Sequence, residues 1–268
     1  MRNIHFAGER GLPGGPGEAP VAIRVRGLTV RRAGRLVLSV PDLGVPPQEV
    51  LGIVGPNGAG KTTLVLCLAL LLTPTAGTIN FDAISAKSGS GTLGRRRRMA
   101  VVFQDPLLMH TSVWENVALG LRFRGVSKLD TDERVEQWLA RLDIAHLARR
   151  HARELSRGEA QRVNLARAFV VQPEILFLDE PFSNLDGPTH RALVDSLESI
   201  LKETRITTLF VSHDLKDVVR LADRLAVLID GAIRQLGRPR EVFAYPLSLD
   251  VQRFIAAHRT GGGITATV

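Results

Sequence analysis

Apolar positions along the chain repeat with two different periods, and together they predict an α/β fold. Short apolar runs of strand length lie at 50–54, 77–81, 100–103, 175–178, 206–211 and 225–229. Apolar residues spaced three and four positions apart predict helices at 61–72, 113–121, 131–142, 159–171, 189–203 and 214–222. Because strands that alternate with helices favour a parallel arrangement, we expect a parallel sheet at the core.

Three stretches depart from this alternation. Residues 1–20 are rich in glycine and proline, which predicts a disordered arm. Residues 21–40 alternate apolar and polar side chains around a polar turn at 31–35, which predicts an antiparallel hairpin. Residues 83–98 are rich in serine and glycine and end in four arginines, so a mobile loop is predicted there.

These patterns divide the chain into three parts. After the arm, one α/β domain is predicted over 21–245. A mostly helical block at 105–157 interrupts its alternation and reads as an insertion. The remaining residues, 246–268, are predicted to form a C-terminal helix and a flexible tail.

Composition narrows the class of protein only a little. Among 268 residues there are 35 Lys and Arg against 27 Asp and Glu, a net charge of +8. Such a surface suits nucleic acid, anionic headgroups or nucleotide phosphates, and equally simple solubility. Aromatic residues make up only 5%, which disfavours a base-stacking platform. The single cysteine, Cys67, excludes an intramolecular disulfide and favours a reducing compartment.

The most specific motif is the stretch GPNGAGKT at 55–62, which fits G-x-x-x-x-G-K-[ST] between a predicted strand and helix. Its glycines allow backbone N–H groups to turn toward phosphate oxygens, and the helix N-terminus adds positive potential. Lys61 is expected to reach the β- and γ-phosphates and Thr62 to ligate Mg²⁺. The predicted nucleotide-binding residues here are Gly55, Pro56, Asn57, Gly58, Ala59, Gly60, Lys61, Thr62 and the following Thr63.

Two acids close the apolar run at 175–178. A strand that ends in Asp179 and Glu180 places both carboxylates at the carboxyl edge of the sheet, where open α/β sheets bind ligands. Asp179 is predicted to hold Mg²⁺, and Glu180 to orient and polarise the attacking water. By itself such a pair is also an ordinary exit from a strand; downstream of a phosphate-binding loop the catalytic interpretation is favoured.

A third signal is LSRGE at 155–159. Ser156 and Glu159 have the spacing of a capping box at the start of the predicted helix. A capped helix N-terminus can also hold an anion.

With these motifs in this order, residues 21–245 resemble the ATP-binding subunit of ABC transporters. Residues 55–62 are similar to Walker A, and 175–180 to Walker B with its catalytic glutamate. Gln104 resembles the Q-loop, 155–159 the LSGGQ signature, 183–186 the D-loop and His213 the switch histidine. The resemblance implies a RecA-like P-loop NTPase core with an inserted α-helical subdomain and an N-terminal antiparallel β subdomain.

The resemblance also implies a mechanism. Two copies would stack head to tail, with each ATP between the phosphate-binding loop of one copy and the signature of the other. Gln104 would sense Mg²⁺ and nucleotide, and His213 would contact the γ-phosphate. The residues that would act from the other copy, or at the junction between copies, are Ser156, Gly158 and Asp186.

Partners and location follow from the same resemblance. A single ATP-binding domain without an apolar run long enough to cross a bilayer is similar to importers whose transmembrane permease subunits are separate chains. We therefore expect a permease, a second copy of this chain and, indirectly, a substrate-binding protein as partners, at the cytoplasmic face of the membrane. No nucleic-acid partner is expected. The stretches 102–108, 116–121 and 158–163 resemble importers of tungstate, molybdate and sulfate.

The sequence departs from the family pattern at three places. Arg157 replaces a signature glycine, Glu159 replaces glutamine, and no aromatic residue lies at 31–33, where the family stacks one on adenine. Two alternatives therefore stay open. One is a soluble ABC ATPase of DNA repair or translation, which would use the positive charge. The other is a non-hydrolysing ATP-binding module, which Arg157 would suit.

Overall fold

The computed structural model describes residues 21–81 and 91–259, and these contain two sheets. Their strands are β1 (Ile23–Arg32), β2 (Arg35–Val45), β3 (Val50–Val54), β4 (Ala76–Asn80), β5 (Met99–Val102), β6 (Ile175–Asp179), β7 (Thr207–Val211), β8 (Arg224–Ile229) and β9 (Ala232–Gly237). An antiparallel sheet has the order β2-β1-β4, and a larger sheet the order β5-β6-β7-β3-β8-β9. The larger sheet is parallel except for the β8–β9 hairpin. The predicted α/β class with an N-terminal antiparallel sheet is confirmed.

Helices follow most of the strands. They are α1 (Lys61–Leu68), α2 (Thr92–Arg96), α3 (Val113–Arg122), α4 (Lys128–Arg141), α5 (Arg157–Phe169), α6 (Gly187–Thr204), α7 (Leu215–Leu221), α8 (Pro239–Ala244) and α9 (Leu249–Arg259). Short 3₁₀ turns lie at Ala145–Leu147 and Ala152–Glu154. Within the part of the chain that the structure describes, no helix combines the length and the apolar character that crossing a membrane requires.

Both faces of the larger sheet are buried, which explains the uninterrupted apolar runs of its central strands. Along β6, Leu176 and Leu178 pack into a cluster with the helices of the inserted block, whereas Phe177 between them packs into a second cluster. That second cluster includes α1 and the inner face of the antiparallel sheet. The alternation of side chains along each strand therefore joins the two layers through one sheet.

The inserted block contains α3 and α4 and packs against α5. Each of these helices begins at a serine, Ser112, Ser127 or Ser156, whose side-chain oxygen accepts a hydrogen bond from a backbone N–H in the first turn. Trp138 of α4 stacks on Phe169 of α5 with ring centroids 4.9 Å apart. This contact ties the block to α5, whose other end carries the signature-like residues.

Several predicted elements differ from the observed ones. The predicted mobile loop at 83–98 contains α2, because Arg96 donates hydrogen bonds to the Leu70 carbonyl and Arg98 pairs with Glu174. The predicted polar turn at 31–35 is shorter, since β1 continues to Arg32 and only residues 33 and 34 turn. Helix α1 stops four residues before the expected end. Helix α8 was not predicted.

The predicted disordered arm at 1–20 and the predicted tail beyond 259 lie outside the described residues, as do residues 83–90 of the predicted loop. Helix α9 occupies Leu249–Arg259, in the stretch where a C-terminal helix is predicted. The division of the chain into arm, domain and tail stays a prediction.

We expect Phe177→Ala to lower the free energy of unfolding by about 3–5 kcal/mol, because the fully buried ring leaves a cavity inside the sheet's second cluster. Phe123→Ala is the matched control: its side chain is 73% exposed, so its loss should change stability by about 0.5 kcal/mol or less. Urea denaturation followed by circular dichroism measures both. Equal effects of the two substitutions would contradict the burial of Phe177.

Candidate nucleotide-binding site

A cavity of about 980 Å³ opens at the carboxyl edge of the larger sheet. The loop after β3, the segment after β5, the end of β6 and the segment after β7 all contribute to it. The predicted site residues that line it are Gly55, Pro56, Asn57, Gly58, Gly60, Lys61, Thr62, Thr63, Gln104, Asp179, Glu180 and His213. Ala59 is buried within the same loop. Residues more than 150 positions apart in sequence thus meet around one space.

The loop at 55–60 is held against the sheet by its first residue. A Cβ atom on Gly55, whose φ is +157°, would lie 1.9 Å from the carbonyl oxygen of Leu228 in β8. Any side chain there would push the loop off the strand. The loop continues directly into α1, whose first turn carries Lys61 and Thr62. The backbone therefore presents the N-terminus of α1 to the cavity, as anion binding requires.

Lys61 is almost fully buried at the floor of this loop. Its Nζ donates hydrogen bonds to the carbonyl oxygens of Gly55, at 2.8 Å, and Pro56, at 3.1 Å. Burial lowers the pKa of Lys61, and the carboxylates of Glu180 and Asp179 act in the opposite direction. The ammonium group lies at the N-terminus of α1, where the positive potential of the helix also favours an anion. This is the setting in which a lysine binds phosphate.

Asp179 lies beside Thr62, and the two side chains share a hydrogen bond. Burial raises the pKa of Asp179, while that hydrogen bond opposes the shift. Among the described residues, the buried Oδ1 of Asp179 has no hydrogen-bond partner. Buried carboxylate oxygens are normally satisfied, so an orphaned one indicates a missing ligand. A hydroxyl and a carboxylate are hard oxygen donors, and this pair fits Mg²⁺. Gln104 lines the same cavity.

Glu180 and His213 form a direct contact across the cavity. Nδ1 of His213 lies 2.6 Å from Oε2 of Glu180, and this hydrogen bond is the main cause of the raised pKa of His213. Glu180 has a φ of +53°, a conformation that costs a non-glycine residue free energy. Its N–H donates to the Val211 carbonyl at 3.0 Å, which holds it in that conformation. The strained backbone at Glu180 therefore fixes the direction of its carboxylate.

Three predicted site residues, Ser156, Gly158 and Asp186, are absent from the lining of this cavity. Ser156 and Glu159 form the predicted capping box at the start of α5. Asp186 caps α6 by accepting hydrogen bonds from the N–H and hydroxyl of Thr189. A Cβ on Gly158 would lie 2.5 Å from Cγ2 of Thr189, so the two capped helix ends touch. Their role at a nucleotide stays a prediction that needs a second copy of the chain.

Arg157, the departure from the signature, pairs with the residue that follows Gln104. Its Nη2 lies 3.3 Å from Oδ1 of Asp105, and both side chains are largely exposed. Exposed ion pairs of this kind contribute at most about 1 kcal/mol. Arg157 is therefore held loosely and does not enter the cavity.

The cavity also contains residues outside the predicted site set. Ser183 and Asn184 belong to the stretch 183–186 that resembles the D-loop, and no motif indicated the others, which are Arg32, Val37 and His258. The Ser183 hydroxyl is buried without a hydrogen-bond partner among the described residues. His258 comes from α9, and its Nδ1 lies 2.8 Å from the Phe254 carbonyl. No sequence signal points to His258, because only the packing of α9 against the sheet brings it to the cavity.

A model of the ABC transporter family matches residues 38–183, more than half of the chain. The chain belongs to the ABC transporter family. Among curated ABC proteins, it is 40% identical to the spermidine/putrescine import ATP-binding protein PotA of Marinobacter nauticus, over 85% of this chain and 61% of that protein. It is 38% identical to the molybdate/tungstate import ATP-binding protein WtpC of Pyrococcus abyssi, over 79% and 61%.

The fold of this ABC chain also matches a solved structure. CbiO1 of Clostridium perfringens, described as part of the ABC transporter complex CbiONQ, is 30% identical and superposes with a TM-score of 0.76. The match covers 90% of this chain and 97% of CbiO1. Against the curated relatives, in contrast, the chain spans only about three-fifths of the length.

The contact between Glu180 and His213 predicts a pH dependence that nuclear magnetic resonance can measure. The pKa of His213 should lie above 6.5, since the carboxylate stabilises the imidazolium. A raised pKa means that the contact stabilises the fold fully below pH 6.5 and that this contribution is lost as the pH rises through the higher value. Glu180→Gln should move the His213 titration back toward 6.5.

Glu203→Gln is the control for this titration. Glu203 lies in the last turn of α6 and pairs with Arg141, so its loss should leave the His213 titration unchanged. A His213 pKa that is insensitive to Glu180→Gln would show that the two side chains are apart in solution.

Proposed function

We propose that this chain is the ATP-hydrolysing subunit of an ABC importer, with ATP and Mg²⁺ as its nucleotide and cofactor. The observation that carries this is the single cavity in which a phosphate-binding loop faces Asp179, Glu180 and His213. The curated relatives support the same class, since their names describe ATP-binding proteins of import systems. The presence of Glu180 in the same cavity as the phosphate-binding loop supports hydrolysis over the non-hydrolysing alternative.

The chain's own groups divide the work of binding. Backbone N–H groups of residues 57–62 and the ammonium of Lys61 bind the β- and γ-phosphates. Thr62 and Asp179 would hold Mg²⁺, with Gln104 alongside. Once bound, Mg²⁺ neutralises negative charge on the β- and γ-phosphate oxygens. Lys61 then exchanges its hydrogen bonds to the loop carbonyls for bonds to phosphate.

Glu180 acts on the attacking water. Its carboxylate accepts a proton from the water as the water oxygen bonds to the γ-phosphorus and the bond to the β-γ bridging oxygen breaks. His213 holds Glu180 in place through Nδ1. In the imidazolium form that this contact favours, Nε2 also carries a proton, which it can donate to a γ-phosphate oxygen.

A second copy of the chain completes the proposed site. Ser156 and Gly158 at the start of α5 would face the γ-phosphate of the nucleotide bound by the other copy. Asp186 would lie at the junction between the two copies. Because Gly158 packs on Thr189 of the helix that Asp186 caps, the signature and the D-loop would move as one unit.

The proposed permease contact lies on the inserted block. A groove of about 430 Å³ runs between α3, α5 and the segment after β5, with Leu107 and Phe123 at its rim. These two side chains are 75% and 73% exposed, which is unusual for large apolar residues. An apolar groove of this kind takes a short helix of another chain. The permease places the subunit at the cytoplasmic face of the membrane and links it indirectly to a substrate-binding protein. Nucleic acid has no part in this proposal.

The most specific part of the proposal concerns the substrate that is imported. Relatives of comparable identity are named for polyamines, Fe(3+), methionine, molybdate/tungstate and sulfate/thiosulfate, so they share import and differ in what is imported. We propose a small oxyanion such as tungstate or molybdate, supported by the sequence at 102–108, 116–121 and 158–163. Stimulation of hydrolysis by tungstate, and its absence with spermidine, in membranes that contain the permease and binding protein would test this choice.

The function is tested by a pair of substitutions that separate binding from hydrolysis. Glu180→Gln keeps shape and hydrogen bonding but removes the negative charge, so hydrolysis should fall about 10²-fold or more while ATP still binds. Lys61→Ala removes a charged contact to phosphate, so ATP affinity itself should fall by more than about tenfold. Phosphate release and calorimetry measure the two effects, with Glu203→Gln as a variant that should change neither.

Near-wild-type turnover in Glu180→Gln would remove Glu180 from its role. Wild-type chain that binds ATP and releases no phosphate, alone or with its permease, would instead favour the non-hydrolysing module.

The groove is tested by crosslinking in membranes. Photoreactive residues introduced at Leu107 and Phe123 should crosslink to the permease, because both side chains border the groove. A photoreactive residue at Arg97, also exposed, is the matched control and should crosslink far less, since solvated surface charges contribute little to binding. Crosslinks from position 97 and none from 107 or 123 would overturn the assignment of the groove.

A further inference from the structure

We propose that His190, Asp214 and Asp217 form a binding site for a zinc ion, separate from the nucleotide cavity. One ligand atom from each of these residues lies within 4.8 Å of the other two. His190 is in the first turns of α6, whereas Asp214 and Asp217 are at the start of α7. The nucleotide cavity does not include any of the three.

The distances suit a small tetrahedral ion. Nε2 of His190 lies 3.0 Å from Oδ2 of Asp217. Zinc binds imidazole nitrogen and carboxylate oxygen at about 2.0–2.2 Å, which places two ligand atoms of one ion roughly 3.3 Å apart. Since the three ligand atoms lie within 4.8 Å of one another, side-chain rotations that shorten the longer separations would bring them around one ion. With three protein ligands, the fourth position is left to water.

Two of the three ligands, His190 and Asp214, are held in place by contacts outside the cluster. The ring of His190 meets the ring of Phe182 edge-on, with centroids 5.4 Å apart. Oδ1 of Asp214 accepts a hydrogen bond from the N–H of Lys216 at 2.8 Å, which orients the carboxylate at the start of α7. Metal sites depend on such contacts, because they fix the direction of each ligand before the ion arrives.

Charge and burial favour a cation at this place. The side chain of Asp217 is only 6% exposed, and among the described residues it pairs with His190, which is charged only when protonated. A buried carboxylate is costly unless a positive charge compensates it. A divalent cation bound by both carboxylates supplies that charge, and an imidazole nitrogen is a common zinc ligand.

The mixed nitrogen and oxygen donors distinguish this site from the proposed Mg²⁺ site. Mg²⁺ prefers oxygen ligands in octahedral geometry, whereas imidazole suits zinc. We therefore expect zinc to bind in the presence of excess Mg²⁺. A bound ion would cross-link the start of α6, which Asp186 caps, to the start of α7, which follows His213.

The test is calorimetric titration of ZnCl₂ into the full-length chain in buffer that contains millimolar Mg²⁺. We expect one zinc ion per chain and a melting temperature that rises with zinc. His190→Arg should weaken zinc binding at least about tenfold, because a lost ligand costs no less than a lost supporting contact. The guanidinium can still pair with Asp217, so the fold keeps a partner for the buried carboxylate.

Two further variants complete the test. His190→Gln also removes the ligand and keeps an amide that can donate to Asp217; it replaces His190→Arg if that variant melts early in the presence of EDTA. His213→Gln removes a neighbouring histidine outside the proposed set and should bind zinc as the wild type does. The proposal is overturned if the wild type binds no zinc, if both His190 variants bind it normally, or if His213→Gln abolishes binding.

Discussion

Parallel pairing of β3, β6 and β7 is the constraint on which the rest of this structure depends. Because these neighbouring strands point the same way, their carboxyl ends lie side by side, and the segments that follow them meet at one edge. The glycine loop before Lys61, Glu180 and His213 come together only for that reason. The pairing in turn requires apolar burial on both faces, which the helices and the antiparallel sheet provide.

The site places charged side chains close together in positions with little access to water. Lys61 and Asp179 are both buried. Burial lowers the pKa of Lys61 and raises the pKa of Asp179, so it favours the neutral form of each side chain. The attraction between their charges opposes both shifts. Groups in this balance respond strongly to added charge, since a low local dielectric strengthens every new interaction. A phosphate near Lys61 and a divalent cation near Asp179 satisfy both at once. The electrostatics and the orphaned oxygen of Asp179 thus favour the same ligand pair.

Contacts between helix ends connect this site to the rest of the molecule. The starts of α5 and α6 meet through Gly158 and Thr189, and α6 reaches α7 through His190 and Asp217. Each of these helix ends carries a residue that the proposed mechanism uses. Arg157 adds only an exposed link to Asp105, which explains how the signature tolerates a bulky residue there in a single chain.

Features that depend on neighbours a few positions away could be predicted from the sequence. Alternating strands and helices, the glycine loop before Lys61 and the capping box of Ser156 and Glu159 all arise from hydrogen bonds and side-chain periods within one or two turns. The strand that ends in Asp179 is likewise predicted by its local run of apolar residues. These patterns were sufficient to indicate the fold, the family and most of the cavity's residues.

Contacts between groups that are distant in sequence depend on the tertiary structure and could not be predicted from local patterns. Helix α2 forms in a polar stretch because Arg96 reaches the Leu70 carbonyl, and His258 joins the cavity because α9 packs beside β8. The approach of His190 to Asp217 likewise depends on how α6 and α7 cross, 27 residues apart in sequence. Hydrophobic periodicity indicates which face of a helix or strand is buried. It does not indicate which other element covers that face, because this depends on how the whole core packs.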